Sequence, residues 1–230
     1  MGRPPGHGVG FEARREEIID LAAQLFAEQG YAATGTAELG RRVGLAKGAL
    51  YHYIGSKEDL LVAIQERVLT PLVESARAVS GLGLDPVLRL RFISDVLMET
   101  ILGRLDYIWV YEHDYRHLGS ANKERFRGRR REFESIIQTC IAEAVEAGTF
   151  RRNIDPRLAT LQFLNLHNHT YQWIKPGGTW SAADLSAAYC ETLFRGWGAD
   201  VDTEAMGEQV DRLRHLSQWH RGPANQRPSA

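Results

Sequence analysis

The sequence predicts an all-α protein, with an N-terminal three-helix helix-turn-helix domain and a larger helical domain behind it. Three observations predict this. Apolar residues recur at helical spacing along most of the 230 residues, with little strand-like alternation. Helix starters and breakers punctuate the chain, with Ser56, Asp85-Pro86 and Ser181 at starts and Gly30, Gly44 and Gly55 at stops. Near the N-terminus, two short helical stretches are joined by Gly44-Leu45-Ala46, a turn of helix-turn-helix proportions.

Residues 1–11 are rich in Gly and Pro and read as a disordered N-terminus. They have no apolar core of the kind a secretory signal needs. The first helix runs from about Glu12 to Gln29, with Ile18, Leu21, Ala22 and Leu25 on its buried face. Two short helices follow, about Thr36–Val43 and Lys47–Ile54, and 12–55 is the expected N-terminal domain. Ser56 with Asp59 three residues on makes a capping box for a helix to about Val79, which Pro71 kinks. Asp85-Pro86 opens a helix to about Gly103. Further helices read as Asp106–Leu118, Ser120–Ala147, Pro156–Ile174 and, after Lys175-Pro176-Gly177-Gly178, from the Ser181 cap to about Trp197. Residues 56–200 form the second domain. The tail, 201–230, is partly disordered, with a short helix over Glu204–Trp219 and disorder beyond Gly222.

Composition narrows the class. Hydrophobic residues make up 43% of the chain and charged residues 25%, ordinary for a soluble globular protein. No apolar run approaches the ~20 residues of a membrane span, so a cytoplasmic location is expected. The two cysteines, Cys140 and Cys190, are isolated and read as small core hydrophobes. The net charge of −1 does not by itself announce a nucleic acid; the test is whether Lys and Arg gather on one face.

The informative segment is Gly30 to Leu61, GYAATGTAELGRRVGLAKGALYHYIGSKEDLL. Leu39, Val43, Leu45 and Leu50 supply the contacts that lock its two short helices, and Gly40 allows close approach at the crossing. The second helix would lie in the major groove. Lys47 sits at its start, Tyr51, His52 and Tyr53 follow one turn on, and Lys57 opens the next helix. Lysine and the tyrosine hydroxyl both suit phosphate oxygens, and a helix N-terminus adds N–H donors and a positive dipole end.

In Gly30-Tyr31, Thr34, Leu39-Gly40, Val43-Gly44-Leu45, Gly48, Leu50-Tyr51-His52-Tyr53 and Ser56-Lys57-Glu58-Asp59-Leu60, the chain resembles the DNA-binding domain of the TetR family over residues 12–62. The resemblance implies a ligand-responsive transcriptional regulator, a repressor, that binds palindromic double-stranded operator DNA as a homodimer and is released by a small-molecule effector. It assigns base-edge contacts to Thr36, Lys47, Gly48, Ala49 and His52, and backbone contacts to Tyr51, Tyr53 and Lys57. Arg41 and Arg42 would reach the backbone or an adjacent groove. Three positions depart from the family pattern. Gly35 replaces a capping, phosphate-touching Thr, though Glu38 could still reach back to its N–H. Ala46 replaces a capping Ser, and Ile54 replaces Phe.

The resemblance also makes 56–200 a ligand-binding and dimerisation domain. Leu105–Leu118 and Leu161–Trp173 crowd aromatic and polar groups into apolar helices. Trp109, Tyr111, His113, Asn165, His169 and Trp173 are the candidate pocket lining, against the reading of the same residues as core and interface. Leu158, Leu161, Leu185, Tyr189, Leu193 and Trp197 lie on the last two main helices, where the family packs its dimer interface. The run Lys123–Arg131 is either a solvated basic face or a receiver of nucleotide phosphates. The tracts YEHDYRHL and WIKPGG resemble parts of family members that govern sterol and fatty-acid catabolism, which points to an acyl-CoA or another apolar metabolite as effector.

His113 and His117 share a helical face and could join His167 and His169 at a metal, but no HExxH frame accompanies them and no metal or cofactor is expected. No nucleophile elbow, P-loop, dinucleotide fingerprint or paired-carboxylate motif appears, so an enzyme is not expected either. The other alternative is a helical small-molecule-binding protein that has lost DNA binding through Gly35 and Ala46.

Overall fold

The structure, a computed structural model, describes residues 9–198 and 202–216. The expectations for residues 1–8 and for the chain beyond Gly222 lie outside the described residues. Among those described, every regular element is helical. The main helices are α1 (Val9–Gln29), α2 (Thr36–Val43), α3 (Lys47–Ile54), α4 (Lys57–Ser80), α5 (Pro86–Gly103), α6 (Leu105–His113), α7 (Ser120–Glu146), α8 (Pro156–Asn168), α9 (Ala182–Trp197) and α10 (Thr203–Leu213). No described helix is long and apolar enough to cross a membrane.

The starts follow local chemistry. Ser56 Oγ accepts from the Asp59 N–H at 3.1 Å, the capping contact that the Ser-x-x-Asp spacing implies. Asp85 and Asp155 each accept two N–H groups of the turn that follows, with Pro86 and Pro156 at the first helical position. Ser181 and Asp184 complete a capping box for α9.

Three expectations change. Helix α1 begins at Val9, so residues 9–11 are helical rather than disordered. The expected helix 106–118 ends at His113 and gives way to a 3₁₀ turn over Tyr115–His117. There the buried Gln65 amide donates to the Tyr111 carbonyl at 3.3 Å, and the Tyr115 hydroxyl donates to the Lys123 carbonyl at 2.7 Å, which turns the chain. The expected helix 156–174 likewise tightens to a 3₁₀ turn over His169–Gln172, where Thr170 and Tyr189 share a hydroxyl hydrogen bond of 2.9 Å.

The chain divides into two compact units. The first holds residues 1–68 and 106–126, and the second holds 69–105 and 127–230, so the division does not fall at residue 55. In the first unit, Ile18, Ile19, Ala22, Ala23, Leu25 and Phe26 of α1 pack with Leu39, Leu50, Ile54 and the start of α4. In the second, α5 is the central helix. Every residue from Val87 to Met98 is buried, as expected of a helix enclosed on all sides.

Candidate nucleic-acid interface

The α2–α3 pair is built by backbone geometry more than by caps. Gly44 ends α2 in the left-handed region (φ 67°), and its N–H returns to the Arg41 and Gly40 carbonyls. A Cβ at Gly40 would stand 2.8 Å from the Leu45 carbonyl oxygen, so only glycine permits this turn. Leu39 and Leu50 are fully buried between the helices, whereas Val43 and Leu45 are half-buried. Neither Gly35 nor Ala46 caps through a side chain, and Glu38 accepts from the Gln29 amide at 3.2 Å.

What this packing leaves outside is a polar face. Arg41, Arg42, Lys47, Gly48, Ala49, Tyr51 and His52 are exposed, and Thr36 and Tyr53 half-exposed. Tyr51 donates to Thr36 Oγ1 at 3.3 Å, tying α3 to the start of α2. Lys47 Nζ stands 6.0 Å from the centre of the Tyr51 ring. Eight of the nine expected DNA-contacting residues therefore lie on the α2–α3 pair and are at least partly exposed.

Lys57 is placed differently. Its ammonium donates to the Tyr31 carbonyl and lies 4.1 Å from the centre of the Tyr31 ring. Burial lowers its pKa, against a raising influence from Asp114. Beside it, Glu58 Oε1 accepts from the Gly119 N–H and from Asn122 Nδ2, both at 2.8 Å, and these bonds lower the Glu58 pKa. The start of α4 is thus clamped to the α6–α7 turn, inside the first unit. Gly119, Asn122 and Phe11, whose ring meets those of His52 and Tyr53, are contributors that spacing along the sequence did not reveal.

The expected pocket residues are divided between the two units. Trp109, Tyr111 and His113 belong to the first unit. Tyr111 is buried, while Trp109 stacks on His113 at 4.1 Å and is 42% exposed. Asn165, His169 and Trp173 lie in the second unit, where they line an open groove of about 950 Å³ between α8 and α9 together with Leu158, Tyr189, Leu193 and Trp197. Leu158 (57%) and Leu161 (48%) are exposed on α8, but Leu185 and Trp197 are core residues. Trp197 packs on Phe150 and Phe194 and donates to Gln162. His167, weighed above as a metal ligand, is fully buried and committed to other partners. Its Nδ1 donates to the Phe163 carbonyl at 2.7 Å, so Nε2 accepts from Ser94 Oγ at 2.6 Å. The chain of donors runs back through Ser186 to Arg91. No group of three or more potential metal ligands occurs among the described residues.

Comparison with known proteins decides the family. Residues 18–64 match the family model described as bacterial regulatory proteins, tetR family. Residues 83–197 match the one described as tetracyclin repressor-like, C-terminal domain. The chain belongs to the TetR family. As such it is an all-helical, DNA-binding transcription regulator. It is 27% identical over 198 residues to the HTH-type transcriptional repressor KstR2 of Rhodococcus jostii, covering 85% of this chain and 97% of the relative. The solved structure of the TetR family regulator PfmR from Thermus thermophilus matches with a TM-score of 0.72 and 29% identity, over 77% of this chain and 97% of PfmR. AibR, solved with isovaleryl coenzyme A and operator DNA, matches in fold with a TM-score of 0.69 and 24% identity, over 79% of this chain and 98% of AibR.

Proposed function

We propose that the chain is a cytoplasmic, homodimeric repressor that holds palindromic operator DNA and releases it when a small-molecule effector binds. The observation that carries this reading is the exposed polar face of α2 and α3 inside the segment that matches the family's DNA-binding model. Thr36, Lys47, Gly48, Ala49 and His52 meet base edges, and Arg42, Tyr51, Tyr53 and Lys57 meet the backbone. The missing caps at Gly35 and Ala46 remove individual phosphate contacts without disturbing the pair.

The homodimer is supported by the α8–α9 face. Exposed Leu158, Leu161 and Trp173 beside a broad open groove are what a partner would cover. Trp180, 56% exposed and 6.1 Å from Trp173, extends the same apolar surface. Asn165, His169 and Trp173 are accordingly reassigned to the interface, leaving Trp109, Tyr111 and His113 as candidate effector contacts. Two reading heads would then span half-sites about 34–36 Å apart.

The effector class is an acyl-CoA or a related apolar metabolite. Supporting it are the exposed basic residues Arg127 and Arg131 on α7 and the likeness in fold to AibR, which binds an acyl-CoA. The Glu58 clamp offers the route of release, because α4 carries Glu58 and α7 carries Asn122, and both helices continue into the second unit. A thermal-shift screen across acyl-CoAs, sterol acids and antibiotics, read beside release of fluorescent DNA from the flank of the protein's own gene, tests the reading. Stabilisation and release by the same compound are expected. A stabilising compound that leaves DNA bound contradicts it.

A further inference from the structure

We propose that Phe11 is a positioning residue for operator recognition, holding His52 and Tyr53 of α3 in the orientation in which they meet DNA. The inference rests on the reading of α3 as the recognition helix.

Helix α3 has eight residues, no side-chain cap at its start, and only Leu50 and Ile54 buried. A helix that short is not stable alone, so its orientation is set by what it packs against. On one side it is held by the Tyr51–Thr36 hydrogen bond. On another stands Phe11, in the first turn of α1. The Phe11 ring stacks on Tyr53 with centroids 4.7 Å apart and planes at 22°. It meets His52 edge-on, at 5.4 Å and 78°. His52 and Tyr53 themselves stand 5.8 Å apart at 69°, so the three rings form a closed set with favourable stacked and edge-on geometries.

Phe11 is itself held. One turn further along α1, Arg14 donates to the Val43 carbonyl at the end of α2, fixing the first turns of α1 against the motif. The consequence for function follows from directionality. A hydrogen bond to a base edge weakens steeply with angle, whereas attraction to phosphate does not. Loss of Phe11 should therefore cost discrimination more than general affinity.

The test uses the full chain carrying F11A, F11L, F11Y, H52A or F11A with H52A. The readout is the ratio of affinities for duplex DNA flanking its own gene and for an unrelated duplex, with the salt slope and thermal unfolding as controls. F11A is expected to lose about tenfold of that ratio, two aromatic contacts of ordinary strength, with the salt slope unchanged. F11Y should keep the ratio. F11L, apolar but unable to stack, should behave like F11A, and the double variant should lose less than the sum of its parts. A wild-type ratio in F11A, full rescue by leucine, or additivity would overturn the inference, since Phe11 would then be absent from recognition or a mere apolar filler. If H52A alone changes nothing, the reading of His52 fails by itself, and the contrast between F11A and F11Y still decides the role of Phe11. If the wild-type protein prefers neither duplex, the reading of α3 fails and the inference falls with it.

Discussion

Lys57 is proposed to serve two roles, one within the fold and one on DNA. In this structure its ammonium sits on Tyr31, which takes one of its three N–H donors and leaves two for a phosphate. Lys57→Ala should weaken binding to all duplexes alike and flatten the log–log salt dependence by about one unit of slope, measured by titration at several salt concentrations. An unchanged slope would mean the ammonium stays with Tyr31 when DNA binds. His167 gives a second residue-level expectation. Burial lowers its pKa from 6.5 to about 4. Between those values the unfolded chain binds a proton that the folded protein does not. Stability is therefore full above pH 6.5 and falls as pH drops towards 4, by up to roughly 3 kcal/mol. Thermal unfolding at pH 7 and pH 5 should show the loss, and His167→Gln should reduce it while lowering stability at pH 7.

The helical elements were legible in the sequence where the determining chemistry is local. Ser56 with Asp59, Asp85-Pro86, Asp155-Pro156 and Ser181 each start a helix within a residue or so of the expected place, because a cap acts on its own first turn. What depended on distant partners was not legible. Helix α1 starts early, where Phe11 has His52 and Tyr53 to pack on, and α6 stops at His113, where Gln65 binds a carbonyl of its last turn and Tyr115 of the following turn is tied to Lys123. Pocket and interface candidates were not told apart at the same scale, since Asn165, His169 and Trp173 line one groove with Leu158, Tyr189, Leu193 and Trp197. Along α8 and into the 3₁₀ turn that follows, Leu158, Leu161, Asn165 and His169 share the outer face while Ala159, Phe163 and His167 face the core, a separation that helical periodicity contains but that the mixed polar and apolar composition hid. Two element-level outcomes follow. Glu58→Ala should speed amide exchange at Gly119 about tenfold or more, since it removes a hydrogen bond to a charged acceptor. Hydrogen exchange read at that amide checks the clamp, and unchanged exchange would remove it from the route of release. Leu158→Asp with Leu161→Asp should leave monomers at micromolar concentration in sedimentation, with weakened operator binding, whereas an intact dimer would place the interface elsewhere.

At the scale of the molecule, the family membership was legible because many residues of set type stand at fixed spacing between Gly30 and Leu60, around and within the α2–α3 pair. The extent of the reading head was not. Residues 106–126 share a unit with the described residues up to 68, a long-range association that no local signal announces. A fragment ending at Leu61 therefore lacks part of its own unit, including Gly119 and Asn122, besides the proposed dimer contacts. The same arrangement gives release a physical form. If an effector disfavours the clamped state, bound DNA must weaken effector binding by the factor with which effector weakens DNA binding. A factor of about 10² corresponds to roughly 2.7 kcal/mol of coupling.

The most direct measurement is binding of the full chain to duplex DNA flanking its own gene, against an unrelated duplex of equal length, across a salt series, with stoichiometry from sedimentation of the complex. Preferential binding by two chains or a multiple of two per site is expected, with affinity falling steeply as salt rises. Equal binding to both duplexes, or a single chain on the preferred one, would contradict it.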